Sequence, residues 1–225
     1  RFTSSVAHEI RNPLAGIAAG VQYLSRSFKD EGPQRENLQF IENEIRRLDR
    51  IVQDLFDVTH PRKLQLRVLP LEDTLRRALR CLEPRIAERG LRAEFTVAPR
   101  TPPAPHDTDQ IEQVFINLVK NAAEASPAGG TLHLSVEMGT SRDSGFPGAA
   151  VVARVRDEGP GISVEHLRTV FEPFFTTKQG GSGLGLYISQ DIVKRHGGNL
   201  AVYSDSGSGA TFAVELPLEP QGGTS

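Results

Sequence analysis

Apolar residues in the first 60 positions recur in alternating steps of three and four, and no other feature restricts the fold of this chain so strongly. They fall at Ala7, Ile10, Leu14, Ile17, Val21, Leu24 and Phe28, and again at Leu38, Ile41, Ile45, Leu48, Val52 and Leu55. Such spacing is the seam of a helix packed as in a coiled coil. Asp30-Glu31-Gly32-Pro33 breaks the pattern between the two runs, so the segment reads as two long helices in an antiparallel hairpin. Val6, Phe40, Ile51 and Phe56 lie beside the seams. One hairpin cannot cover them, whereas two hairpins joined in a dimeric four-helix bundle can.

After His60-Pro61 the pattern changes, because the residue before a proline disfavours the helical region. Leu64, Leu66 and Val68 alternate with polar residues, as in a strand. A helix is expected over 71–89, ending at Gly90, then a strand over 92–98 and a loop over 99–105, which holds four prolines. Asp109 and Glu112 have the spacing of a helix start, with the helix running to about Ser126. Strands are expected at 131–137, 149–157, 199–204 and 210–216, with an exposed Gly/Ser-rich loop over 139–148 and a helix over 184–196 closed by Gly197-Gly198. This second part reads as a mixed α+β domain, a sheet with helices on one face.

Bulk properties narrow the function classes. At 38% apolar and 24% charged the composition is that of a globular protein. A net charge of -2 with no basic cluster gives no footprint for nucleic acid. Cys81 is alone, so no internal disulfide can form, which fits a reducing compartment. No apolar run approaches the roughly 20 residues a bilayer requires, and no secretory signal opens the chain. Arg1 starts inside a helical pattern with no methionine before it, so the chain reads as a piece of something longer.

Several short segments carry chemistry. His8 lies off the apolar seam, followed by Glu9 and, one turn later, Asn12-Pro13. A histidine can attack a phosphoryl group if a neighbour takes its proton, and Glu9 could orient one ring nitrogen and leave the other to attack. By itself such a pair is also an ordinary solvated one. Gln113, Asn117 and Asn121 are four apart and share one side of a helix, beside the apolar Ile111, Val114, Phe115, Leu118 and Val119. Amides aimed into a cleft can hold Mg2+ through oxygen and contact phosphates, although a plain polar stripe has the same spacing. Asp157-Glu158-Gly159-Pro160-Gly161 follows the apolar strand residues Val151, Val152, Ala153 and Val155. An acid at a strand end followed by glycines suits a flat ligand, or a simple turn. Gly180-Gly181-Ser182-Gly183-Leu184-Gly185-Leu186 opens a helix, where glycines let backbone N–H groups converge on phosphate. Phe171, Phe174, Phe175 and Lys178 lie between the glycine segments as a candidate lid, with Lys178 able to reach a phosphate. Gly207-Ser208-Gly209-Ala210-Thr211-Phe212 precedes the last strand.

The order of these segments closely resembles that of the sensor histidine kinases of two-component systems, over nearly the whole chain. The resemblance implies a dimerisation and phosphotransfer hairpin at 1–60, a linker and first strand at 61–69, an ATP-binding domain at 70–218 and a tail at 219–225. That domain would be an α+β two-layer sandwich of the Bergerat type, shared with gyrase, Hsp90 and MutL-type ATPases. His8 would be the phosphoacceptor, Glu9 its general base, and Asn12 the residue that orients water when the kinase dephosphorylates its partner. Asn117 and Asn121 would hold Mg2+ and phosphates, with Lys120 beside them. Asp157 would read the adenine amine over a floor of Gly159, Gly161 and Ile162, with Thr211 near the base. Phe174, Lys178, Gly181, Ser182, Gly183, Leu184, Gly185 and Leu186 would close over the phosphates. The resemblance also implies ATP and Mg2+ as cofactors, a homodimer, a response-regulator receiver domain as partner, no nucleic acid, and a cytoplasmic location, either free or as part of a membrane-bound sensor.

Two departures from the commoner pattern are visible. Glu124 and Ala125 stand where many members carry Lys-Tyr or Arg-Tyr, and the lid reads Phe-Phe-Thr-Thr-Lys. Both resemble the subgroup typified by nitrogen-regulation sensors, and they shift phosphate contact towards Lys178. Rival readings are a gyrase- or Hsp90-type ATPase, a dimerisation module with a degenerate nucleotide site, and a zinc protease. The first lacks a hairpin bearing His8-Glu9-x-x-Asn12-Pro13, the second should have lost one of the site residues, and the third lacks its second metal ligand because position 12 is Asn.

Overall fold

The computed structural model describes residues 16–17, 19–21, 24, 33–59, 62–139, 149–178, 181–205 and 207–219. They fall into two compact units: one takes the chain up to Arg62 together with Glu172–Gly185, the other Lys63–Phe171 with Leu186 onward.

In the first unit, residues 16–17, 19–21 and 24 are helical, and α1 runs over Pro33–Thr59. Proline is tolerated in the first turn because its missing N–H would have no intrahelical partner there. Glu36 in that turn faces the positive end of the helix dipole. Three seam residues, Val21, Leu38 and Ile45, form a buried cluster. The seam residues Ile17, Leu24, Ile41 and Leu48 remain 40–53% exposed, and Phe40 is 66% exposed.

The second unit contains β1 (Arg67–Leu69), α2 (Leu71–Glu88), β2 (Arg92–Val97), β3 (Ala104–His106), α3 (Thr108–Ala125), β4 (Thr131–Gly139), β5 (Ala150–Arg156), α4 (Val164–Leu167), α5 (Gly185–Arg195, whose first residue belongs to the other unit), β6 (Asn199–Ser204) and β7 (Ala210–Pro217). Five strands form one sheet in the order β2-β4-β5-β7-β6. Only the β2–β4 pair is parallel. Alternation divides the sheet into two faces. Leu132, Leu134, Val136, Val151, Val155, Phe212, Val214 and Leu216 are buried on the helix side, where α2 and α3 supply Leu71, Leu75, Ala78, Ile111, Phe115 and Leu118. The opposite face is polar: His133 lies between Glu94 and Glu158 at 3.2 Å from each, and Arg154 pairs with Glu137.

The strand expected through Leu64, Leu66 and Val68 is confined to Arg67–Leu69, and the structure corrects the sequence reading in three further places. First, Ala104–His106 is a strand that begins within the end of the expected proline loop, pairing antiparallel with β1 from Arg67↔His106 to Leu69↔Ala104. Second, Asp107, rather than Asp109, caps α3, its carboxylate accepting from Gln110 N at 3.2 Å. Asp109 and Glu112 instead pair with Arg77 of α2. Third, Val164–Leu167 forms a single helical turn behind the cap Ser163. The expected loop over 139–148 lies outside the described residues from position 140.

Asp107 is the centre of a buried network. Its Oδ2 accepts from Gln65 N at 2.9 Å and Gln110 Nε2 at 3.1 Å. Burial raises the carboxyl pKa, but these donors and Gln110 N outweigh it and hold the group below its ordinary value. The Asp107 N–H donates to His196 Nε2 at 3.0 Å, and His196 Nδ1–H donates to Ile192 O at 2.7 Å. His106 Nδ1–H donates to Ala104 O at 2.8 Å, leaving Nε2 to accept from the Thr74 hydroxyl at 2.9 Å. Carbonyls accept only, so both rings carry a proton on Nδ1, and His196, whose Nε2 accepts from a backbone N–H, is neutral. Burial pushes both histidines below the ordinary 6.5.

A depressed histidine contributes stability that is present above the unfolded value and lost as pH falls below it. The melting temperature should therefore drop as the pH is lowered from about 7 to 5, a window that brackets the ordinary histidine value. His196→Ala should cost about 1–3 kcal/mol, by leaving the Asp107 N–H without its acceptor, and should flatten the pH slope. An unchanged slope would sink this account.

Candidate functional site

Asp157 follows β5 directly and is 3% exposed. Its backbone N–H continues the ladder to Ala210 O at 2.9 Å. Its Oδ1 accepts from Gly159 N at 2.8 Å and Ala210 N at 3.2 Å. A buried carboxylate needs such donors, because burying the charge without partners is costly.

The glycines after it leave no room for a side chain. A Cβ on Gly159 would lie 2.7 Å from Ala125 O, at the end of α3, and 2.8 Å from Asp157 Oδ1. Gly161 has φ +75°, and a Cβ there would run into Asp205 O. The same stretch is laced to the β6–β7 turn: Ile162 N donates to Ser204 Oγ at 2.8 Å, Ser204 Oγ to Gly209 O at 2.7 Å, and Gly207 N to Pro160 O at 2.7 Å. The result is a main-chain wall beside a fixed carboxylate.

Helix α3 brings Asn117, Lys120 and Asn121 to one half-buried side, while Gln113 is exposed. Asn117 Nδ2 donates to Ser189 Oγ on α5 at 3.0 Å, and Asn121 Nδ2 to Asn117 Oδ1 at 3.4 Å. Glu124, at the position of the first departure, pairs with Arg85 at 3.1 Å. Ala125, the second, presents its carbonyl to Gly159.

Thr211 is not brought to this cluster. In β7 it pairs with Arg156 and Tyr203 and lines a groove of about 290 Å³ on the polar sheet face with His133, Ser135 and Arg154. The period of two separates it from its neighbour: the backbone of Ala210 holds Asp157, and the side chain at 211 turns the other way.

Within Glu172–Gly185 the chain folds on itself. Phe174 has φ +66° and is 62% exposed. Gly183, at φ +70°, packs against it so closely that a Cβ would lie 2.6 Å from Phe174 O. Lys178 N donates to Thr176 Oγ1 at 3.1 Å, and Leu184 N to Ser182 Oγ at 3.3 Å. Lys178 is exposed, Leu184 is buried, and Gly181 and Leu186 are half-buried. His8, Glu9, Asn12 and Gly180 lie outside the described residues.

Ser189, Ser204 and the Asp107–His196 contact were not singled out from sequence. Ser189 alone left a trace there, as a hydroxyl in the apolar stripe of Ile188, Ile192 and Val193.

Residues 106–220 match the family of histidine kinase-, DNA gyrase B-, and HSP90-like ATPases, and residues 1–62 match the His Kinase A (phospho-acceptor) domain. The sensor histidine kinase ZraS of Salmonella typhimurium is 35% identical over 218 residues, spanning 96% of this chain and 45% of that protein. The sensory histidine kinase/phosphatase NtrB of Rhodobacter capsulatus is 33% identical over 225 residues, spanning 96% of this chain and 61% of that protein. Full-length ShkA in complex with AMPPNP superposes with a TM-score of 0.75 at 26% identity, over 98% of this chain and 46% of that one. ThkA in complex with the response regulator protein TrrA gives 0.71 at 29% identity, over 98% and 62%. The chain spans about half the length of the ZraS proteins it matches. It therefore belongs to the histidine kinases, with a phospho-acceptor domain ahead of an ATPase domain of the gyrase and HSP90 type.

Proposed function

We propose that this chain is the catalytic core of a sensor histidine kinase that transfers the γ-phosphoryl group of ATP to His8 and then to an aspartate of a response-regulator receiver domain. The observation that carries the nucleotide half is the buried Asp157 carboxylate beside a wall where Gly159 and Gly161 admit no Cβ. That is the chemistry a purine needs: an acceptor for its exocyclic amine and a flat surface for its ring.

Asp157 reads the amine, with Gly159, Gly161 and Ile162 as the floor and Ala210 holding the carboxylate through its backbone. Thr211 has no part in this reading. Asn117 and Asn121 hold Mg2+ through amide oxygens, and the ion supplies neutralisation of the phosphate charge when bound. Lys120 and Lys178 add positive charge. The glycines at Gly181, Gly183 and Gly185 let the backbone come close to phosphate oxygens, and Phe174 and Lys178 belong to the same candidate lid segment.

At the other site Glu9 takes a proton from one ring nitrogen of His8, and the other nitrogen attacks. An N–P bond forms, the bond to the bridging oxygen breaks, and ADP leaves. Such a transfer depends on positioning and charge neutralisation. Asn12 orients water for the reverse task, removal of phosphate from the regulator. The exposed Ile17, Leu24, Phe40, Ile41 and Leu48 of the hairpin support pairing with a second copy. The AMPPNP bound by ShkA and the regulator bound by ThkA support the nucleotide and the partner.

Incubation with γ-labelled ATP and Mg2+ should label the chain with acid-labile, base-stable phosphate that is absent from His8→Ala. Label persisting in His8→Ala, or no nucleotide binding at all, would overturn the assignment. Asp157→Asn should weaken ATP binding by about 10- to 100-fold, the range of a lost hydrogen bond to a charged group. Gly159→Ala should weaken binding at least as much while His8 remains intact. Calorimetric titration with a non-hydrolysable ATP analogue measures both, and wild-type affinity in either variant would place the purine elsewhere.

A further inference from the structure

An asparagine amide can present oxygen or nitrogen to a site, and only the oxygen ligates a hard cation. If Asn117 and Asn121 hold Mg2+, as the reading above has it, something must set the direction of these amides. The Asn117 nitrogen donates to Ser189 Oγ at 3.0 Å across 72 residues of sequence. Asn117 Oδ1 is thereby turned away from Ser189, and of its two lone pairs the 3.4 Å bond from Asn121 Nδ2 takes one. The order of donors runs one way, from Asn121 to Asn117 to Ser189.

Ser189 is placed for this task. It is 2% exposed on α5, among the buried apolar Ile188, Ile192 and Val193. Alanine would fill the same volume almost as well, so packing does not account for the hydroxyl. A serine inside a helix commonly donates its own proton to a carbonyl one turn earlier, which leaves its oxygen as an acceptor. The glycine-rich segment leads directly into α5, so the bond also ties the helix of the metal ligands to the helix that follows the phosphate loop.

We infer that Ser189 is a positioning residue for the metal–nucleotide site, orienting the Asn117 amide so that its oxygen faces the cation. The test is calorimetric titration of the whole chain with a non-hydrolysable ATP analogue at stepped Mg2+ concentrations, and again in EDTA. Ser189→Ala should raise the Mg2+ concentration for half-maximal effect about tenfold, as loss of an outer-shell partner does. Binding in EDTA and the melting temperature should stay close to those of the unaltered chain. Ser189→Thr, which keeps the hydroxyl, should restore the Mg2+ response. A wild-type Mg2+ response in Ser189→Ala, with that response lost in Asn117→Ala, would overturn the inference alone. Equal loss of binding with and without Mg2+ in Ser189→Ala would also overturn it, since that marks a packing role. Absence of any Mg2+ effect in the unaltered chain would overturn both this inference and the metal reading it rests on.

Discussion

The carboxylate of Asp107 is the point on which the ATPase unit is hung. It caps α3, takes the backbone N–H of Gln65 before β1, and sits where its own N–H meets His196 at the end of α5. Three stretches far apart in sequence therefore meet at the start of one helix. The other end of α3 is held as firmly. Arg89 donates to Ser126 O at 3.0 Å, and Ser126 Oγ donates back to Ala122 O at 2.9 Å. Asn117 and Asn121 project from a rod anchored at both ends, an arrangement that suits the proposed role of holding an ion of strict geometry.

The two faces of the sheet solve different problems. The inner face is a continuous apolar surface under α2 and α3, and it supplies the driving force for folding. The outer face carries charges that are largely matched to one another. Glu158 is held below its ordinary value by the Thr131 N–H and by His133. Glu215, 2% exposed on β7, goes the other way, raised by burial and only partly offset by Asn199 and Arg154. This polarity makes the outer face a poor surface for stacking a second sheet.

Most of the architecture was legible in the sequence because it rests on periodicity. Val21, Leu38 and Ile45 belong to the three-and-four seam and meet in a buried cluster, and the closing glycines of α2 and α5 are where they were expected, Gly90 and Gly197 both with positive φ. The failures have local causes. Ala104–His106 is hidden by prolines, yet a short pair with β1 tolerates Pro105, since only one partner strand is needed. With acids at both 107 and 109, spacing alone selected the wrong cap, because the partner of Asp109 and Glu112 is Arg77 on another helix. Thr211 lies on the polar face, away from the Asp157 carboxylate that its neighbour Ala210 holds, since in a strand one position is the whole width of the sheet. Ser189 needs the third dimension, since its partner lies 72 residues away.

The wall beside Asp157 is made of main chain and of glycines that admit no Cβ, and its lacing runs through Ser204, Gly207 and Gly209. Side chains are what mutation exchanges most cheaply, and here few are exposed to exchange, Ser204 and Asp157 being tied into the lacing themselves. A small molecule seated against that wall would face a target whose shape cannot be altered without moving the backbone of β7 or the end of α3. Escape from such an inhibitor would have to arise elsewhere in the protein, or come at the expense of the fold itself.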